Sequence, residues 1–91
     1  MFSEHAESAT DIEREIALIW QQVLGIEALP GPSDDFFSLG GDSVAMIMAE
    51  LRINQELSVN LPEGVMLGVS SLREFSQLIE ERRRLDGVSR E

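Results

Sequence analysis

Between residues 10 and 24, Ile12, Ile16, Ile19, Trp20, Val23 and Leu24 recur at i, i+4, i+7, i+8, i+11 and i+12. At 3.6 residues per turn this spacing lays one apolar stripe along a helix, and such a face must be covered by other elements. Thr10-Asp11-Ile12-Glu13 forms a capping box ahead of the stripe. The Thr10 hydroxyl accepts from the Glu13 N–H while the Glu13 side chain reaches back, an N-cap worth roughly 1 kcal/mol. Asp11, Glu13 and Glu15 suit the positive end of the helix dipole, and Gly25 can supply a left-handed stop. A helix over 10–24 is expected, with residues 1–9 as a flexible leader.

The partners of that helix follow from the rest of the chain. Residues 25–41 form a long connection rich in glycine and proline, yet it holds Ile26, Leu29, Phe36, Phe37 and Leu39. A loop this long in a small domain is functional or pinned by its own side chains, and Phe36 and Phe37 are the expected pins. From Asp42 to Leu57 the pattern is helical again but carries two stripes: Val44, Ile47, Met48 and Leu51, and Met46, Ala49, Ile53 and Leu57. A domain of 91 residues can hardly bury a helix on all sides, so one stripe is expected to face a partner. Val59 and Leu61 are expected core contacts of a short extended stretch, and Pro62–Gly68 suits one helical turn or a structured loop. Ser71-Leu72-Arg73-Glu74 is a second capping box, followed by Phe75, Leu78 and Ile79 at helical spacing and by Arg82, Arg83 and Arg84 in the expected last turns.

Strand-like alternation is absent beyond the few residues near Val59. The expected fold is therefore all-α, a small four-helix bundle of three longer helices plus one short helix over 10–84, with 85–91 a flexible tail.

Composition narrows the chemistry. Cysteine and lysine are absent, and His5 is the only histidine. That excludes disulfides, a thiol nucleophile, a thiolate zinc site, a Schiff base and a P-loop. The chain is expected to be no enzyme, with no metal. Its formal charge of −10 argues against nucleic acid, which needs clustered cations, and favours partners with basic surfaces. The charge is uneven: residues 1–42 hold nine acids against Arg14, a balance of −8. No apolar run is long enough to cross a bilayer, and the absence of a signal-peptide layout favours the cytoplasm.

Few positions remain for function. Gly41-Asp42-Ser43-Val44-Ala45 is close to the nucleophile-elbow pattern G-x-S-x-G, but no strand precedes it and no base is at hand. Asp42 is the expected N-cap of the second helix and Ser43 its first-turn residue, projecting from the domain. Two readings stand on local physics: a plain Asp-Ser cap behind a glycine turn, or a hydroxyl displayed where backbone N–H groups would stabilise an anion attached to it.

Asp34-Asp35-Phe36-Phe37-Ser38-Leu39-Gly40-Gly41-Asp42-Ser43 closely resembles the attachment motif of peptidyl carrier proteins, the thiolation domains of nonribosomal peptide synthesis. The resemblance covers residues 10–82: a Trp-bearing first helix, the long loop, a Ser-led second helix, a short third and an amphipathic fourth. It implies an acyl-carrier-protein-like bundle whose cofactor, 4′-phosphopantetheine, is attached to Ser43 beside Gly41 and Asp42. A phosphopantetheinyl transferase would add the arm, and its thiol would hold an aminoacyl or peptidyl thioester. An adenylation enzyme would load it, and condensation or tailoring enzymes would use it. In such carriers partners grip the serine and the exposed face of the next helix, which here assigns Val44, Ile47, Met48 and Leu51 to the partner face. Met46, Ala49, Ile53 and Leu57 then point inward; Met48 is open between core and face. Asp34, Asp35 and Asp42 would steer basic partners.

Three positions depart from the family pattern: Val44 stands where Leu is common, Glu50 where an apolar residue is common, and Ser70 where Pro is common. The start at Met1 and the short flanks favour a free-standing carrier, expected to be monomeric. Two alternatives predict different behaviour: an acyl carrier of fatty acid or polyketide synthesis, and an acidic helical adaptor with no cofactor.

Overall fold

The stripe on residues 12–24 becomes the spine of the molecule. In the computed structural model, which describes residues 4–69 and 71–89 (with side chains for 11–69 and 71–85), four helical elements follow one another. They are α1 (Glu4–Leu24), α2 (Ser43–Leu57), the 3₁₀ turn η1 (Val65–Gly68) and α3 (Leu72–Ser89). No strand occurs among the described residues. Helix α1 packs on both α2 and α3, so its apolar face is covered from two sides. The expected all-α bundle of three longer helices and one short one is the observed architecture.

The core gathers Ile16, Ile19 and Trp20 from α1, Ala49 and Ile53 from α2, Met66 from η1 and Phe75 and Ile79 from α3, each almost wholly buried. Trp20 is its centre. The Phe36 ring meets it edge-on at 5.1 Å and the Phe75 ring stacks at 6.2 Å, geometries that aromatic quadrupoles favour. Its indole N–H is buried without an acceptor among the described residues. The loop is pinned as expected: Phe36 is in the core, Phe37 packs against it at 5.5 Å, and Val59 and Leu61 are buried. Leu29, read with the loop's apolar set, is exposed instead.

The loop also completes the start of α3. A helix leaves its first four N–H groups without intrahelical partners. Here the Leu72 N–H donates to the Asp34 carbonyl and the Arg73 N–H to the Pro32 carbonyl, both at 2.9 Å. The Glu74 N–H donates to Ser71 Oγ at 3.2 Å and the Phe75 N–H to the Ser71 carbonyl at 3.0 Å. The Ser71 hydroxyl therefore caps α3 as expected, and Pro32 and Asp34 of the loop are tied to the same helix start.

The expected ends of the outer helices are corrected. Helix α1 begins at Glu4, so Thr10 lies inside it rather than at its N-cap, and residues 4–9 continue the helix. A capping box marks where a helix can start; with no proline or glycine upstream, nothing obliges it to start there. Glu13 is paired instead with Arg73 of α3 at 3.5 Å. Helix α3 runs to Ser89, so Arg82, Arg83 and Arg84 lie before its last turn and residues 85–89 are helical. Residues 1–3, 70, 90 and 91, and with them the Ser70 departure and both outermost ends, lie outside the described residues, as does the side chain of His5.

Candidate functional site: an exposed serine at the start of α2

The segment before α2 is a series of tight turns. The Ser38 N–H donates to Asp35 Oδ2 at 2.9 Å and the Leu39 N–H to the Asp35 carbonyl at 3.0 Å. The Gly40 and Gly41 N–H groups then donate to the Phe37 and Phe36 carbonyls, each at 3.1 Å. The two glycines are needed for different reasons. Gly40 has φ +106°, a region that L side chains rarely enter. Gly41 lies flat on Phe36: a Cβ there would clash with the ring and come within 2.9 Å of the Phe36 carbonyl. Phe36 is thus core residue and template for the turn at once.

Asp42 leaves that turn in extended conformation, φ −126° and ψ −173°, and caps α2. Its Oδ1 accepts from the Ala45 N–H at 2.9 Å, and its carbonyl accepts from Met46 at 2.9 Å. Ser43 is the first residue of the helix, and its side chain is exposed. Among the described residues, the Ser43 and Val44 N–H groups have no partner. The site therefore offers an accessible hydroxyl beside two free backbone donors and the positive end of a helix dipole. Asp42 would repel a free anion, but its carboxylate is turned onto the Ala45 N–H. A phosphate diester held covalently on Ser43 Oγ would fit this arrangement, next to the Asp42 cap and the Gly41 turn.

Helix α2 separates its two stripes. Met46, Ala49, Ile53 and Leu57 are buried. Val44, Ile47, Met48 and Leu51 are 66%, 37%, 51% and 55% exposed, and Met48 thereby falls on the outer face. Asp34 and Asp35 have local work as well as charge, since Asp34 Oδ2 accepts from the Gly31 N–H at 2.7 Å.

Sequence reasoning missed two polar anchors on the inner side of α2. Glu50 is buried, and its two carboxylate oxygens accept from the Gly64 N–H at 2.9 Å and the Met66 N–H at 3.1 Å. One turn later, Asn54 Oδ1 accepts from the Leu61 N–H at 2.9 Å and its Nδ2 donates to the Leu61 carbonyl at 3.4 Å. The signal was present: Glu50 lies in register with Met46, Ile53 and Leu57, and a carboxylate on a buried stripe needs partners. A groove of about 290 Å³ lies between these anchors and the outer stripe, lined by Ile47, Glu50, Leu51, Asn54, Leu61 and Glu63. Among the described residues no helix is long and apolar enough to cross a membrane.

Residues 14–79 match the family model for the phosphopantetheine attachment site. The chain belongs to that family, whose members are carriers with a covalently attached phosphopantetheine arm. Over 71 residues it is 42% identical to an isonitrile lipopeptide synthase of Mycobacterium tuberculosis, covering 78% of this chain and 3% of that one. Over 69 residues it is 38% identical to gramicidin S synthase 2 of Brevibacillus brevis, covering 76% of this chain and 2% of that one. The chain thus spans only a few per cent of the length of these relatives. Among solved structures it resembles BlmI, a type-II acyl-carrier protein from Streptomyces verticillus involved in bleomycin biosynthesis. The TM-score is 0.78 at 27% identity, covering 85% of this chain and 92% of that one.

Proposed function

We propose that the chain is a peptidyl carrier protein, modified at Ser43 with 4′-phosphopantetheine and acting in nonribosomal peptide assembly. The observation that carries this reading is the exposed Ser43 hydroxyl on the first residue of α2, behind a turn that only Gly40 and Gly41 allow. In the attachment reaction a phosphodiester forms at Ser43 Oγ and the pyrophosphate bond of coenzyme A breaks. Adenosine 3′,5′-bisphosphate leaves, and the hydroxyl proton passes to the transferase or to water. The arm supplies a terminal thiol to a chain that has no cysteine, and the acyl group travels on it as a thioester. This chain's own part is to present Ser43, to stabilise the charge beside it with the Ser43 and Val44 N–H groups, and to offer partners the face of Val44, Ile47, Met48 and Leu51. Chemistry on the cargo belongs to separate enzymes: a phosphopantetheinyl transferase, an adenylation enzyme, and condensation or tailoring enzymes.

The peptidyl assignment is supported by the relatives, which are lipopeptide and gramicidin synthases by name. Similarity to BlmI, a type-II acyl-carrier protein, over 92% of its length supports a type-II carrier serving separate enzymes, which we read as monomeric and cytoplasmic. Because BlmI is described as an acyl-carrier protein, an acyl carrier of fatty acid or polyketide synthesis is the second reading. Intact-mass measurement after incubation with coenzyme A and a phosphopantetheinyl transferase tests the common part: one phosphopantetheinyl group is expected. No mass gain leaves a cofactor-free adaptor. Loading of the modified protein by amino-acid-activating enzymes, against acyl ligases, separates the two carrier readings.

A further inference from the structure

The turn η1 is four residues long, and its N-cap, Gly64, contributes no side-chain hydrogen bond. Short 3₁₀ turns have poor internal hydrogen-bond geometry and depend on their surroundings. Here the missing acceptor comes from another element: Glu50, 14 and 16 residues upstream on α2, accepts from both Gly64 and Met66. Asn54 fastens Leu61 in the same way one turn further along. Together they fasten residues 61–66 to α2 as one wall of the groove, which Ile47 and Leu51 of the outer stripe line as well. From this wall η1 carries Leu67, 70% exposed, outside the stripe that defines the partner face.

The wall is within reach of any enzyme that acts on Ser43. Ile47, at the near end of the groove, is one turn from Ser43, about 6 Å along the axis at 1.5 Å per residue. A protein interface of about 800 Å² per partner extends roughly 16 Å from its centre. An interface of that size centred on Ser43 is wide enough to take in Ile47 and the groove it lines.

We propose that Glu50 is a positioning residue for the phosphopantetheinyl transferase: by clamping the Gly64 and Met66 amides it holds the 61–68 wall beside α2, so that the enzyme meets stripe and wall as one rigid surface. The inference rests on the carrier reading. It also gives the Glu50 departure a role, since an apolar residue there would fill the core but could not accept from either amide.

The test compares wild type, Glu50→Leu and Glu50→Gln, using a purified transferase with coenzyme A and amide hydrogen exchange by NMR. In Glu50→Leu, exchange at Gly64 and Met66 is expected to accelerate at least about tenfold. The KM for the carrier should rise about fivefold or more while kcat stays within about twofold, because Ser43 and its cap are untouched. Glu50→Gln keeps one acceptor and the shape, so it should fall between the two and provides the measurement if Glu50→Leu does not fold. Unchanged exchange in both variants overturns the clamp. Released amides with a wild-type KM overturn the positioning role alone. A wild-type protein that gains no mass overturns the carrier reading and this proposal together.

Discussion

Ser43 and Gly41 are adjacent to the same cap but answer to different constraints. The Ser43 side chain is exposed, and the bond that caps α2 belongs to Asp42. Ser43→Ala should therefore shift stability by no more than about 0.5 kcal/mol, read by denaturant unfolding with Trp20 fluorescence, while removing the mass gain with coenzyme A. Modification persisting in that variant would move the attachment point. Gly41→Ala drives a methyl group into the Phe36 ring and carbonyl. A loss of about 1–3 kcal/mol is expected, as for overpacking elsewhere, and an unchanged unfolding midpoint would refute the close approach. Ser58 is the third informative residue: at the end of α2 it holds φ +56°, the only non-glycine with positive φ among the described residues. Ser58→Gly should raise stability by up to about 1 kcal/mol in the same assay. The cap and the hydroxyl could be read from the chain because both depend on neighbours within three residues. The strain at Ser58 could not, since serine carries no mark of the conformation it is given.

Helix α2 shows how an ambiguous pattern is resolved at the scale of an element. Two stripes compete on its surface; with α2 packed on α1, Met46, Ala49 and Ile53 are buried in the core while Val44, Met48 and Leu51 stay exposed. Leu51→Arg should keep the far-UV circular dichroism and the cooperative unfolding of wild type but weaken association with at least one partner enzyme. The same charge at Ile53, which is wholly buried, should unfold the protein or lower its stability by several kcal/mol. If Leu51→Arg lost helical signal as Ile53→Arg does, the outward assignment would fail. The ends of α1 and α3 mark the limit of pattern reading in the other direction. Capping boxes at Thr10 and Ser71 look alike in sequence, but only Ser71 starts a helix, because Pro32 and Asp34 meet the N–H groups beyond it. That loop lies some 40 positions away in the chain, so no local window contains the difference.

At the scale of the whole molecule, charge and core divide the work. Most of the net charge of −10 falls on residues 1–42, which include the loop leading to Ser43. If that field steers basic partners, the modification rate should fall severalfold between about 0.05 and 0.5 M salt, as screening shortens the Debye length to a few ångströms. A rate independent of salt would remove steering from the account. The apolar stripes and the absence of strand alternation already specified an all-helical bundle, because burial of one face per helix is a periodic property of the chain. The ten residues from Asp34 to Ser43 likewise carried the proposed attachment site, since turn and cap are local. Only the tertiary structure decided where the outer helices end, that Met48 belongs to the stripe of α2 in water, and that Glu50 and Asn54 fasten the segment around η1. Each of these depends on which distant backbone groups and side chains come within hydrogen-bond or van der Waals reach, and chain folding alone sets that.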